Sequence, residues 1–385
     1  MRIAHVLLGR CNPDSANGVD KTVYHLARHQ AALGAEVAVF SLTLKEPLPV
    51  PGAEVRTFPP PWGRLGRLWP GVPGRLVEEL LGWRPDLVHF HSVHIGPFVA
   101  LGRALRRRGV PYVVTPNGGF APGRLARVGP EVRAYVRLLE KPYLEGARFV
   151  HAVSHNDVEG LKALGVRAPV VVVPNGIDPA AVPNQVDADL LRRRFPGLRG
   201  KRVFLFLGRL DPVHKGLDLL LEAFAANRLP QAALVLVGPD WRGSLARLRE
   251  LARHLGLDER VVFAGAAFGE EKWAYLAGAD VFVHPSRWEG FSFSVLEALA
   301  MGKPVLVSSA ADPGEIRASG AGVTVEPRVA ELSEALRALG TSSPEELERM
   351  GRRARALAEE RYDWRAIAAR LMEAYQHEEE GYGAR

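Results

Sequence analysis

H-P-S-R-W-E-G-F-S-F-S-V-L-E-A-L-A-M-G-K-P-V, His284 to Val305, reads as the end of a strand, a turn and a helix in one run. Val281 to His284 is short, apolar and β-branched, and Val305 to Val307 is a second run of the same kind. Between them Glu289-Gly290-Phe291-Ser292 forms a turn, and Val295, Leu296 and Leu299 form the buried stripe of a helix. Strand, helix and strand in that order make a βαβ unit, which requires parallel strands in a sheet covered by helices. The turn and helix start also offer backbone N–H groups and the positive end of a dipole, a setting that suits a diphosphate or sugar hydroxyls.

The same alternation extends in both directions. Toward the amino end the strand candidates are Ile3 to Leu8, Glu36 to Ser41, Leu87 to His91, Tyr112 to Thr115, Phe149 to Val153 and Val170 to Val173. Toward the carboxyl end they are Val203 to Leu207, Ala233 to Val237, Val261 to Ala264, Val281 to His284, Val305 to Val307 and Val323 to Val325. The pattern predicts an α/β protein with two doubly wound, Rossmann-like domains, whose ligands bind beyond the carboxyl ends of the strands, in a cleft between the two. The Pro/Asn/Gly cluster P-N-G-I-D-P, from Pro174 to Pro179, punctuates the chain between the two strand sets. The domain boundaries are accordingly placed at 1–180 and 181–360, followed by a terminal segment at 361–385. From Pro344 the tail reads as helices capped by Ser343 or Ser342, with Ile367, Leu371 and Tyr375 spaced by four. The last ten residues read as solvated, and Phe58 to Pro73 reads as a loop rich in Pro, Gly, Trp and Arg.

Composition sets the limits. At 385 residues with 47% hydrophobic and 24% charged, the chain has the make-up of a globular protein of two domains, and disorder is excluded. Its one cysteine, Cys11, permits no intrachain disulfide, and a cytoplasmic setting is expected. The amino-terminal apolar run is too short for a signal peptide, and no run reaches the roughly 18 apolar residues of a membrane span. Residues 1 to 180 hold 22 Lys and Arg against 14 Asp and Glu, so the net charge of +7 lies in the front half. That surplus suits an anionic partner or a solvated basic face.

Three further constellations bear on chemistry. In V-F-L-F-L-G-R-L-D-P-V-H-K-G, Arg209 and Lys215 stand between a buried strand and a helix, two fixed cations suited to a phosphate pair. Gly18, in S-A-N-G-V-D-K-T, follows the first strand and lets backbone approach a phosphate. Glu289 and Glu297 are eight residues apart, about 12 Å along a helix. That is too far for a glycosidase pair, which needs roughly 5 to 9.5 Å. It suits two polyol ends of one nucleotide-sugar, each held by a carboxylate; the plain alternative for Glu297 is a solvent-facing helix residue.

The order N-G-V (17–19), P-N-G-I-D (174–178), G-R-L-D-P-x-x-K-G (208–216) and E-G-F-S-F-S-V-L-E-A-L-A (289–300) resembles the retaining glycosyltransferases of family 4, the group 1 glycosyl transferases with the GT-B fold. The resemblance implies an acceptor domain first, a nucleotide-sugar domain second, and a last helix that crosses back to the first domain. It implies that Arg209 and Lys215 neutralise the donor's diphosphate and that Glu289 holds the donor sugar, helped by the N–H groups of Gly290, Phe291 and Ser292. Glu297 would bind the ribose, the base would lie near Gly238 and Ala266 to Phe268, and Gly18 would approach the donor phosphate. Retention in such enzymes is drawn as front-face substitution, in which the departing phosphate takes the acceptor's proton and neither protein nucleophile nor metal nor other cofactor is needed. The chain departs from the family pattern at Asn17-Gly18, where paired glycines are common, and at Asn117 in T-P-N-G-G-F, where many relatives carry His.

Other features carry milder readings. Asp187 and Asp189 resemble a metal signature but open a helix, where an acidic cap is simpler. His89, His91 and His94 could hold zinc, though no acidic or Cys partner is spaced to complete the site; His91 is placed on the acceptor side with Asn117. No G-x-G-x-x-G follows the first strand, which argues against a dinucleotide enzyme. Cys11 reads as a small buried residue. Arg103, Arg106, Arg107 and Arg108, with Arg124, Arg127, Arg133 and Arg137, suit an anionic membrane surface or a helix terminus. The expectation is a retaining, metal-independent hexosyltransferase acting on a saccharide, lipid-linked or small-molecule acceptor. Its rivals are a phosphorylase or sucrose-type synthase on the same fold and a basic nucleic-acid-binding protein, the last without interleaved aromatics and so not favoured.

Overall fold

A computed structural model of the protein describes residues 1–15, 17–61, 66–69, 71–178, 181–183, 185–227, 229–312 and 314–376. Parts of the Phe58 to Pro73 loop and of the Pro174 to Pro179 cluster, and the tail from 377, therefore lie outside the described residues. The chain divides into two compact units, one formed by Met1–Asn175 with the segment that begins at Trp364, the other by Gly176–Asp363.

The first unit carries β1 (Arg2–Leu8), β2 (Glu36–Leu42), β3 (Ala53–Phe58), β4 (Leu87–His91), β5 (Tyr112–Thr115), β6 (Phe149–Ala152) and β7 (Val170–Val172). All pair in parallel, in the order β3-β2-β1-β4-β5-β6-β7. β3 is the strand the sequence reading leaves out. Its A-E-V-R-T-F mixes charge with apolar residues because it is an edge strand, half-exposed, with Arg56 bonded to Glu54 at 2.8 Å. One face of the sheet is apolar, with Val6, Phe40, Phe90, Val114 and Val150 in a single cluster. The other face carries histidines: His5 lies opposite His89, and His91 opposite Thr115.

The second unit carries β8 (Arg202–Leu207), β9 (Ala232–Val237), β10 (Val261–Gly265), β11 (Val281–His284), β12 (Val305–Ser308) and β13 (Gly322–Val325). Their order is β10-β9-β8-β11-β12-β13, again all parallel. V-F-L-F-L in β8 is buried throughout because both faces of the sheet are covered. Val203, Leu205 and Leu207 join one core, and Phe204 and Phe206 the other. The strand order reverses between β8 and β11, so the loops leaving those two strands flank the point where such sheets bind ligands.

Helix ends follow the sequence in most places. Ser343 caps Pro344–Arg361 with Glu346 in a reciprocal capping box. At the start of Leu190–Arg194, Asp189 makes no side-chain cap bond, but the Asp187 carboxylate accepts from the backbone N–H groups of Asp189 and Leu190 and also pairs with Arg193.

Candidate active site

The loops after β8 and β11 meet in the second unit. Gly216 is left-handed (φ 65°), and a Cβ there would lie 2.1 Å from the Pro285 carbonyl oxygen, so only glycine allows the approach. Arg287 fastens the two loops: it binds Asp218 through both guanidinium nitrogens at 2.7 and 2.9 Å and donates to the Val213 carbonyl at 2.8 Å.

This clamp brings Lys215 and Glu289 into contact. Glu289 is 8% exposed, and its Oε1 accepts from Lys215 Nζ, from His284 Nε2 at 2.9 Å and from Ser286 Oγ at 2.8 Å. Burial pushes the Glu289 carboxyl upward, but Lys215, His284 and His214 together outweigh it and hold the group well below the usual range. His284 is lowered by burial, and His214, for the same reason, falls to about 4. His214 stacks on Trp288 with ring centroids 4.8 Å apart and donates to the Trp288 carbonyl at 3.0 Å. The result is an ionised carboxylate fixed by one ammonium and a neutral imidazole.

Glu289 precedes the helix Phe293–Ala300, so the helical spacing assumed between Glu289 and Glu297 does not apply. Glu297 lies within that helix, 5% exposed, and pairs with Lys272 Nζ at 2.9 Å; it is not a solvent-facing residue. The N–H groups of Gly290, Phe291 and Ser292 precede the helix and donate to no backbone carbonyl among the described residues.

Arg209 follows β8. Its guanidinium lies over Trp241, 4.4 Å from the ring centroid. Gly238 follows β9, where a Cβ would lie 1.7 Å from the Gly208 carbonyl oxygen, so the first residues beyond β8 and β9 pack backbone to backbone. Ala266 lies just beyond β10, and Phe268, which follows, is 52% exposed, an aromatic surface at the same end of the sheet. Among the site residues the sequence reading did not single out are His214, His284, Ser286, Lys272 and Trp241. His284 and Ser286 sit inside the diagnostic stretch, but nothing in spacing shows that they turn onto Glu289.

In the first unit, Gly18 opens the helix Gly18–Ala32, and Asn17 caps it, accepting from Val19 N at 3.3 Å. Burial and the neighbouring Asp20 push the Cys11 thiol up to about 12, which removes it as a nucleophile. Asn117 is left-handed (φ 51°), and Asp157 holds the next residue, accepting from Gly118 N at 2.9 Å. His94 does not share a site with His89 and His91. Its Nδ1 meets the buried Glu140 at 2.8 Å.

His5 takes the place sequence reading gave to His94. His5, His89 and His91 offer nitrogens within 4.8 Å of one another, but hydrogen bonds claim nearly all of them. The Val173 carbonyl can only accept, so His151 Nε2 donates to it at 2.8 Å and His151 Nδ1 accepts from Thr115 at 2.8 Å. Each later bond then has one direction. His89 donates to Thr115 (2.6 Å), Tyr375 to His89 (2.6 Å), Gln30 to Tyr375 (3.4 Å), His5 to Gln30 (2.7 Å) and His91 to His5 (2.9 Å). The chain ends at His91 Nδ1, which is buried and has no partner among the described residues. A cation bound by this trio would have to break the chain of hydrogen bonds that its nitrogens now make. Burial lowers His5 and His151 to about 4 and holds His89 and His91 well below the ordinary value.

Comparison with known proteins agrees with this architecture. The model of the Glycosyl transferases group 1 family matches residues 189–357, and that of Glycosyltransferase Family 4 matches residues 16–181. A GDP-mannose-dependent alpha-mannosyltransferase of Mycobacterium tuberculosis is 30% identical over 315 residues, 78% of this chain and 77% of the relative. The GDP-mannose:cellobiosyl-diphosphopolyprenol alpha-mannosyltransferase of Xanthomonas campestris is 27% identical over 394 residues, covering 97% of this chain and 96% of that one. The sucrose-phosphate synthase of Thermosynechococcus elongatus shares the fold, with a TM-score of 0.77 at 22% identity, over 97% of this chain and 98% of that one. With both strand orders, the switch-point loops and these matches together, the chain belongs to the family 4, group 1 glycosyl transferases and has their GT-B pair of Rossmann-like units.

Proposed function

We propose that this glycosyltransferase moves a hexosyl group from a nucleotide-diphosphate sugar with retention of configuration and without a metal ion. The observation that carries the reading is the switch point of the second unit. It gathers Arg209, the Lys215–Glu289 pair and the turn before Phe293–Ala300 at the carboxyl end of one sheet. Arg209 and Lys215 are the counter-charges for the departing diphosphate, the task a divalent cation performs elsewhere. Glu289, already ionised, accepts from the donor sugar's hydroxyls, with the N–H groups of Gly290, Phe291 and Ser292 beside it. Glu297 takes the ribose, Gly238, Ala266 and Phe268 take the base, and Gly18 takes the phosphate. His91 and Asn117 belong to acceptor binding, and since His91 has no exposure, its part is to orient neighbours.

In the reaction the C1–O bond to the diphosphate breaks, the acceptor oxygen bonds C1 on the same face, and the acceptor's proton passes to a diphosphate oxygen. A mannosyl donor carrying guanine is the first to try, because both mannosyltransferases named above are described as using GDP-mannose.

A thermal-shift panel of UDP-, GDP- and ADP-sugars tests donor class: at a hundred times Kd, a true donor stabilises the fold by about 2.7 kcal/mol. Transfer unchanged by EDTA and product of the donor's own anomeric configuration by NMR are expected; an inverted product, or activity that returns only with added metal, overturns the mechanism. Glu289→Gln is expected to cost roughly 100-fold or more in kcat while the protein stays folded.

The acceptor reading extends to a membrane surface. Arg133, Arg137 and Leu138 are all exposed, Leu138 at 68%, a basic and apolar set suited to anionic lipid. Equal sedimentation with neutral and phosphatidylglycerol vesicles at low salt would remove this partner.

A further inference from the structure

Two cations are assigned to one diphosphate, and the fold holds them differently. Lys215 is paired with a carboxylate, whereas Arg209 has no carboxylate partner among the described residues and lies on Trp241. We propose that Trp241 is the positioning residue for Arg209, a neutral platform that fixes the guanidinium at the switch point while leaving its charge uncompensated. The proposal rests on the reading of Arg209 as a diphosphate ligand.

The backbone sets the two side chains together. Beyond the ends of β8 and β9 the pairing continues, with Gly208 N donating to the Val237 carbonyl at 2.9 Å and Leu210 N to the Pro239 carbonyl at 3.0 Å. Leu210 and Asp240 form a parallel bridge, so Arg209 and Trp241 leave neighbouring extended segments. A tight turn fixes the Trp241 backbone: its carbonyl accepts from Ser244 N at 3.1 Å and from Ser244 Oγ at 2.6 Å. Both central residues are left-handed, Arg242 at φ 55° and Gly243 at φ 78°, and the first is a conformation that L side chains rarely adopt. Such strain at the ligand-binding end of a sheet points to a position held for use.

The chemistry favours a ring over an acid. A carboxylate would hold Arg209 equally well, but it would cancel the charge and repel an incoming diphosphate. An indole attracts the flat face of the guanidinium and leaves its N–H edge, the part that forks onto phosphate, facing outward. Arg242 lies over the same ring at 5.1 Å, so the platform collects a second cation. Core packing does not dictate where the ring sits. The residue is only partly buried and belongs to none of the core clusters, bordering a pocket of about 430 Å³ lined also by Val213, Leu248 and Leu251.

The test compares wild type, Trp241→Leu, Trp241→Phe, Arg209→Ala and the double variant Arg209→Ala/Trp241→Leu. Affinities for UDP, GDP and ADP and for uridine, guanosine and adenosine are measured by calorimetry, with donor kcat and KM. The expected result is a loss of roughly two- to thirty-fold in diphosphate affinity and donor kcat/KM for Trp241→Leu, the span of a cation–π contact from exposed to desolvated. Nucleoside affinity stays unchanged, Trp241→Phe restores most of the loss, and Trp241→Leu adds nothing once Arg209 is gone. Equal losses for diphosphate and nucleoside would make Trp241 a contact of the base and overturn the proposal. Full diphosphate affinity in Trp241→Leu, with Arg209→Ala impaired, overturns it while sparing the site. Unimpaired Arg209→Ala removes the reading of Arg209 and the proposal together.

Discussion

Glu289 stays charged in a buried place because three donors converge on one of its oxygens. Its lowered carboxyl favours the ionised form in the folded state, so its contribution to stability is complete above the ordinary value of about 4.5 and is lost as pH falls through the lower, folded-state value. Lys215→Met and Glu289→Gln should each destabilise the second unit, but the double variant should lose less than the sum by about 1–3 kcal/mol, read from urea denaturation. Simple additivity would mean that the pair does not act as one. Arg209, Lys215, Glu289 and Glu297 could be picked out from sequence because each stands at a strand end or on a helix beside a turn. That Lys215 and Glu289 touch was not legible. They are 74 residues apart, and only the adjacency of β8 and β11 joins them. Trp241 gave no signal, since a lone indole after a strand is indistinguishable from a packing residue until Arg209 is seen lying on it.

Strands were read from sequence wherever the sheet is covered on both faces, because burial turns them into unbroken apolar runs, as in β8. β3 escaped because an edge strand keeps one side in water and needs no such run. The contact between the loops after β8 and β11 is a matter of backbone. Gly216→Ala combines a left-handed conformation with a 2.1 Å approach to the Pro285 oxygen, and should cost about 2–4 kcal/mol and displace Lys215, lowering activity. Gly256→Ala, equally left-handed (φ 67°) but in open space, should cost only about 1 kcal/mol and leave turnover alone. Equal costs for the two in chemical denaturation would show that the approach between the loops carries no weight.

Over the whole molecule, the buried histidines set the response to acid. His5, His89, His91 and His151 are held neutral when folded and titrate near 6.5 when unfolded, so the fold keeps its full stability above that value and loses it as pH falls toward 4. Each contributes up to about 1.4 kcal/mol per pH unit in that window. The midpoint of urea unfolding should drop steeply between pH 6.5 and 4.5, and His151→Gln should flatten the slope by one proton; a level profile would refute the neutral chain. The order of the segments has a further effect. Tyr375 closes the hydrogen-bond chain of the first unit, yet it follows Asp363, where the second unit ends. On the ribosome, the unit whose synthesis starts first therefore lacks the partner of His89 Nδ1 until the other has been fully translated. Chaperones that hold nascent chains would meet the amino-terminal sheet in its unfinished state, and a premature stop codon anywhere before position 375 would leave that half incomplete.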